Sequence, residues 1–193
     1  VNTSNTSSPS SGGQKKRNRT LLLLIFAIFF GSMGLAGVLR LSGWTPQIKR
    51  NHGELLQPPV DWRNAALLRE KGDQWQWNPA ARRWRILLAP ADCQAKCIDL
   101  AQSLHTIWQL LGHRADRVEI LWLGTPPPAI AHFSALHVLQ TDANTRAQLP
   151  AVDDVAGIPV YVLDPNGFVV LRYAPGFEPT GLRADLVKLL KLK

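Results

Sequence analysis

Between Thr20 and Leu39 the sequence reads TLLLLIFAIFFGSMGLAGVL, twenty residues without a charge. At a rise of about 1.5 Å per residue, a helix of that length crosses the roughly 30 Å hydrocarbon layer of a bilayer. Lipid offers no hydrogen bonds, and a helix satisfies its own backbone polar groups, so the run predicts a transmembrane anchor over residues 20–41. It is apolar all round, which excludes the one-sided helix of a soluble core. Whatever else this chain folds into must therefore fold beside a membrane.

The flanks assign a direction. Lys15, Lys16, Arg17 and Arg19 precede the run and only Arg40 follows closely. The positive-inside rule then leaves the N-terminus in the cytoplasm and the remainder across the membrane, as in a single-pass protein of a cell inner membrane with a periplasmic domain. The Ser/Thr/Asn/Gly-rich start has too little apolar surface to offset the entropy of ordering, so residues 1–19 are expected to be a disordered, basic cytoplasmic tail. The small residues of GLAG at 34–37 also suit a cleaved signal peptide. The apolar run exceeds the usual hydrophobic region of such peptides, which favours an uncleaved anchor.

The formal charge of +8 invites a nucleic-acid partner. Five of the 22 basic residues and none of the 14 acidic ones lie in residues 1–42, so the remaining 17 basic and 14 acidic residues leave +3 with both signs interspersed. That is an ordinary soluble surface, and no nucleic-acid partner is expected.

Beyond the anchor, residues 42–73 contain turn formers and little periodicity and read as a connector to a domain over 74–193. In QWQWNPAARRWRILLAP, Trp75 and Trp77 alternate with polar residues as in a strand, Asn78-Pro79 marks a turn, and Trp84 to Ala89 ends in an apolar run suited to a central strand. Asp92 is placed to cap a helix. Along it Cys97, Leu100, Ala101, Leu104, Ile107, Trp108 and Leu111 form one apolar stripe, and Gly112 is a stop. RVEILWLG, 117–124, is the next strand. Residues 129–154 carry no clear signal. GIPVYVLDPNGFVVLRY predicts a hairpin turning at DPNG, and the last helix takes Thr180 as cap, with Leu182, Leu186, Leu189 and Leu190 on one side. A βαβ half followed by ββα predicts an α/β sandwich with a central mixed β-sheet flanked by helices.

The only cysteines, Cys93 and Cys97, lie where the apolar strand gives way to the helix. Outside the cytoplasm a lone pair is ordinarily a structural disulfide. Magnitude argues against that purpose: a loop of about five residues stabilises by roughly 2 kcal/mol, against about 4.7 for a hundred-residue loop. Positions i and i+4 of a helix hold Cβ atoms about 5–6 Å apart, whereas a relaxed disulfide wants about 3.5–4.5 Å. The bond closes only if Cys93 lies in a frayed first turn; two thiolates holding one soft metal ion meet a looser requirement. The helix N-terminus and Lys96 favour a thiolate at Cys93, and Asp92 and Asp99 oppose it. Reactive thiols fit this setting better than a passive bridge.

A strand leading into a cysteine turn that opens a helix resembles the thioredoxin superfamily, and AGIPVYVLDPNG extends the resemblance. With one N-terminal span, a CxxxC and the YVLDPNG hairpin, the chain resembles the Sco/SenC branch, the membrane-anchored assembly proteins of cytochrome c oxidase. The resemblance implies a thioredoxin-like fold over 74–193, with Pro159 cis and packed against the cysteines. It implies a site of Cys93, Cys97 and Pro159, in which Cys93 attacks as thiolate and Cys97 resolves the mixed disulfide. It also implies copper, which Sco proteins hold through two cysteines and a histidine. The histidine's position falls on Ala156, and no histidine lies within ten residues of it. Cu(I) held by Cys93 and Cys97 alone is the form that survives this departure.

Three functions follow as expectations. The first is thiol–disulfide exchange in the biogenesis of a respiratory oxidase, with an oxidase subunit or a Sco-type protein as partner and lipid around the span. The second is a Cu(I) metallochaperone, and the third an assembly scaffold with incidental thiols. Of the histidines, His52 falls in the connector and His105 and His113 are expected to face solvent. His132 and His137, in the unsignalled segment, are the two that could approach the cysteines. The tryptophans are expected to pack core and rim.

Overall fold

The computed structural model describes residues 11–42, 51–93, 95–130 and 132–192. It divides into two compact units, Val1–Ile48 and Lys49–Lys193. In the first, a helix α1 runs over Ser11–Leu41, and its Arg17–Leu41 portion has a mean hydropathy of 2.5 and is long and apolar enough to span a membrane. Residues 11–19, expected to be disordered, are thus helical. Extending a formed helix adds one hydrogen bond per residue fixed, and Gln, Lys and Arg are good helix formers. The remaining tail, residues 1–10, lies outside the described residues.

The second unit is built on a seven-stranded mixed sheet. Its strands are β1 (Glu54–Asp61), β2 (Leu68–Arg69), β3 (Trp84–Leu88), β4 (Val118–Leu123), β5 (Leu136–Gln140), β6 (Val160–Leu163) and β7 (Phe168–Tyr173), in the spatial order β1-β7-β6-β3-β4-β5-β2. Pairing is parallel for β3–β4 and β4–β5 and antiparallel elsewhere. WRILL and VEILWL are buried on both faces, as strands at a sheet centre are, and the one charged residue in each, Arg85 and Glu119, is buried with them. The helices are α2 (Ala95–Gln109), α3 (Ala143–Ala147) and α4 (Pro179–Leu189).

Alternate strand residues divide the core. Ile86, Leu88, Ile120, Trp122, Val160 and Val162 point to the face packed by Cys97, Leu104 and Ile107 of α2 and Leu182 and Leu186 of α4. Leu87, Leu121, Tyr161 and Leu163 point to the other face, covered by Trp62, Leu67, Trp75, Leu149 and Val152. The predicted α/β sandwich is the observed one.

Several expectations change. The connector assigned to 42–73 contains β1 and β2, and its Trp62 and Leu67 are fully buried. Strand β1 has no apolar alternation because it is an edge: it pairs only with β7, and its register shifts between Leu55 and Val60, where Pro58 and Pro59 cannot donate to a ladder. The domain therefore starts well before residue 74. Trp75 and Trp77 form no strand; the backbone N–H of Trp75 donates to Leu67 O at 2.8 Å, and Gln74 makes one isolated bridge. Their alternation reflects edge-to-face contact at 6.3 Å. Asp92 lies three residues before the start of α2 at Ala95, and α4 is capped at Glu178 with Pro179 in its first turn, not at Thr180. Pro at the first position is preorganised for helix, which moves the start upstream. The unsignalled stretch 129–154 holds β5 and α3.

The hairpin forms as expected. Asp164 Oδ1 accepts the N–H groups of Asn166, Gly167 and Phe168 at 3.0, 2.9 and 2.8 Å, and Gly167 takes φ 102°, which a side chain would resist.

Candidate functional site

The central strand delivers the cysteines. After Leu88 the chain leaves the sheet through Ala89-Pro90-Ala91-Asp92, reaches Cys93, and enters α2 at Ala95. Cys93 lies outside the helix and Cys97 in its first turn. Displacing Cys93 from the helical path brings the Cα atoms to 5.2 Å, and the two residues are disulfide-bonded. That separation lies in the ordinary range for such bonds.

The two sulfurs differ in access. Cys97 is 1% exposed and belongs to the core between sheet and α2, whereas Cys93 is only partly buried at the edge of that core. A reactant arriving from solvent meets Cys93 first.

Pro159 is buried and immediately precedes Val160, whose ladder partner is Leu88. Topology thus places Pro159 at the sheet end from which the cysteine loop leaves. Its neighbour Ile158 packs against the same core cluster as Cys93. The Ile158–Pro159 bond is trans, not cis as expected; among the described residues only Gln57–Pro58 is cis. Trans is the favoured isomer by about 0.5–1 kcal/mol, and the chain turns here at Gly157, with φ 142°. Along α2, a cleft of about 310 Å³ lies between Lys96, Asp99 and Leu100, Ile158, and Pro175 and Phe177 of the loop before α4.

The histidines lie elsewhere. His137 sits 5.2 Å from the Trp75 ring and 3.7 Å from Glu119, with Leu121 as its ladder partner. Burial lowers its pKa, against the opposing pull of Glu119. His52 binds Asp185. His105, expected in solvent, stacks on Phe133 at 4.1 Å, and Phe133 packs against the core cluster that α2 helps to form. His132 is exposed. Among the described residues no three His, Cys, Asp or Glu side chains are grouped to hold a metal ion. A copper site of two thiolates and an imidazole does not fit this donor set.

Sequence reasoning found the cysteines but missed the charged residues that brace the domain. Arg85 is 2% exposed and donates through Nε to Glu119 at 3.0 Å, at the start of the sheet's central strands. Arg146 donates to Ala89 O at the root of the cysteine loop. Asp185 is 1% exposed on α4. Each looks like a surface charge in its local context, and only partners far along the chain reveal otherwise.

A family model described as the transmembrane-like, thioredoxin-like, C-terminal domain matches residues 84–193. Among solved structures, the chain is similar to yeast Sco1 with copper bound, at 15% identity and a TM-score of 0.51, covering 78% of this chain and 96% of that one. It is similar also to apo Sco1 from Thermus thermophilus, at 14% identity and a TM-score of 0.51, covering 75% and 99%. At such identities the likeness establishes the fold, which is thioredoxin-like. No curated protein matches the sequence.

Proposed function

Because the chain belongs to the transmembrane-like, thioredoxin-like C-terminal domain family, we propose that it is a membrane-anchored thiol–disulfide exchange protein acting through Cys93 and Cys97. The observation that carries the reading is the unequal access of a bonded pair: Cys93 half-buried at the head of α2, Cys97 sealed beneath it. Residues 20–41 anchor the chain, its N-terminus is cytoplasmic, and the redox domain faces the periplasm.

The exchange follows from that access. In the dithiol form the Cys93 thiolate attacks a sulfur of the partner's disulfide, expelling one partner thiolate and forming a mixed disulfide. Cys97 then attacks Cys93 Sγ, the second partner thiolate leaves, and the Cys93–Cys97 bond forms. Two electrons pass to the partner and two protons settle on its thiols. In reverse, an incoming thiolate attacks Cys93 Sγ and expels Cys97. Pro159 shapes the adjoining backbone, and the cleft along α2 receives the partner's chain.

The setting we assign is biogenesis of a respiratory oxidase, where a periplasmic copper site needs its cysteines reduced. The resemblance to Sco proteins supports it. The test uses the full chain in detergent micelles. Reduced protein is mixed with a disulfide-containing peptide from an oxidase copper-binding loop, and thiols are trapped by alkylation. Transfer of one disulfide per chain, abolished in Cys93→Ser, supports exchange. Absence of transfer together with stoichiometric Cu(I) retention, lost in Cys97→Ser, would assign the pair to metal carriage. Oxidase assembly that survives the double serine variant would make the protein a scaffold.

A further inference from the structure

We propose that Arg146 is the positioning residue of the disulfide: it bridges the root of the cysteine loop to the segment entering Pro159 and so sets how readily the Cys93–Cys97 bond is reduced. The inference rests on the exchange reading above.

Nε and Nη2 of Arg146 both donate to Ala89 O, at 3.2 and 2.9 Å. Ala89 is buried and follows the last ladder pair of the central strand, Leu88 with Val160. Pro90 comes next, and the chain swings out toward Cys93. The third guanidinium nitrogen, Nη1, meets Asp153 Oδ1 at 2.7 Å. One side chain therefore holds both loops that flank the site.

Both of its attachments are themselves fixed. Asp142 caps α3 by accepting Thr145 N–H at 2.7 Å and Thr145 Oγ1 at 3.1 Å, and Asp142 O accepts Arg146 N–H at 3.1 Å. Beyond Asp153, Asp154 is gripped by Arg172 at 2.6 Å. Pro150 O accepts Tyr161 Oη at 2.8 Å and Arg172 Nε at 3.1 Å. A planar, multi-donor cation is suited to this double grip in a way a point charge is not.

The consequence is chemical. Cys97 is buried in the core on α2, so the effective concentration of one sulfur at the other depends on where the loop presents Cys93. A carbonyl pinned at Ala89 limits that loop to a few residues of freedom. Releasing it lowers the effective concentration and shifts the pair toward the dithiol. With glutathione, one thiolate attacks Cys93 Sγ and expels Cys97, and a second attacks the bound glutathione sulfur and releases Cys93. Two electrons reach the pair, two protons complete its thiols, and one glutathione disulfide leaves.

The full chain in detergent micelles is equilibrated with glutathione buffers and the dithiol fraction read by alkylation. In Arg146→Met the equilibrium constant for reduction is expected to rise about fivefold, with Arg146→Lys, which keeps the charge and one donor, between the Met variant and wild type. Asp153→Ala, at an exposed carboxylate, shifts it in the same direction with the fold intact. A folded Arg146→Met within about twofold of wild type overturns the proposal. Should that variant not fold, an unshifted Asp153→Ala overturns it equally. A wild-type bond that fails to equilibrate with glutathione at all would instead defeat the exchange reading.

Discussion

The hydroxyl of Tyr173 donates to Oδ2 of Asp185 at 2.9 Å inside the domain, and that same oxygen accepts the backbone N–H groups of His52 and Gly53 at 2.6 and 3.1 Å. Lys188 Nζ and His52 Nδ1 approach Oδ1 at 3.1 and 3.2 Å. One buried carboxylate on the last helix thus fastens the segment that leads into the first strand. Burial alone would raise its pKa. Hydrogen bonds from Gly53, His52, Lys188 and Tyr173 outweigh burial and hold it at about 2, below the ordinary 3.8. Burial pushes the Tyr173 phenol up, and Asp185 adds to the rise.

A folded-state pKa below the unfolded one stabilises fully above the unfolded value and loses that stability as pH falls toward the folded one. Asp185 is therefore expected to contribute about 2 kcal/mol at neutral pH that disappears between about pH 4 and pH 2. In Asp185→Asn the urea midpoint at pH 7 should drop by the equivalent of about 2–4 kcal/mol, because buried donors lose a charged acceptor. The gap between variant and wild type should narrow steadily below pH 4. Parallel curves down to pH 2.5 would show that another group carries the acid sensitivity.

Gly53 is required by the same anchor. A Cβ at this position would stand 2.6 Å from Cζ and 2.8 Å from Cε2 of Tyr173. The phenol cannot swing away while it donates to Asp185, so Gly53→Ala is expected to cost about 1–3 kcal/mol, read as a lower thermal midpoint. Gly34→Ala, where a Cβ meets nothing within 4 Å, is the control and should leave the midpoint in place.

How much of this was legible follows from the range of the interactions. WRILL and VEILWL announced central strands because residues 86–88 and 120–123 are apolar on both faces, although each strand also carries one buried charge, Arg85 or Glu119. DPNG announced a turn because Asp164 satisfies it from within four residues. The cysteine pair was legible for the same local reason, as a strand end followed by a helical stripe. Strand β1 was not: it is ordered by β7, where Glu54 faces Arg172 from the far end of the chain, and its two prolines mimic a linker. Arg146, Arg85 and Asp185 were not legible either, since each depends on a contact 34 or more residues away, with Ala89 O, Glu119 and the Gly53 N–H respectively. The isomer of the Ile158–Pro159 bond was not legible, because the bend belongs to Gly157.

Arg85 and Glu119 make a second long-range pair with a different outcome. Arg85 Nη1 also donates to Arg83 O and Pro165 O, both at 3.2 Å, and its guanidinium lies 5.0 Å from the Trp77 ring. Burial lowers the guanidinium's pKa, and Glu119 opposes that shift. Glu119→Gln leaves the cation buried without its anion and should cost about 3–5 kcal/mol. The double variant Arg85→Met, Glu119→Leu removes both desolvation penalties and should recover most of the loss in urea unfolding. A double variant no more stable than Glu119→Gln would mean that the carbonyl contacts of Arg85, not its charge, dominate.

The difference in access between the cysteines gives the last prediction. If Cys93 is the sulfur that meets partners, Cys97→Ser leaves a nucleophile that attacks but cannot be resolved. Mixed disulfides should then accumulate in cells, visible as higher-mass bands that reductant collapses. Cys93→Ser leaves only Cys97, which is 1% exposed, and should trap about tenfold less, since exchange requires the thiolate to reach the partner's sulfur. Equal trapping by both variants would mean that the first turn of α2 opens far enough to expose Cys97. The order of attack would then be set by thiolate pKa, and burial would have no part in it.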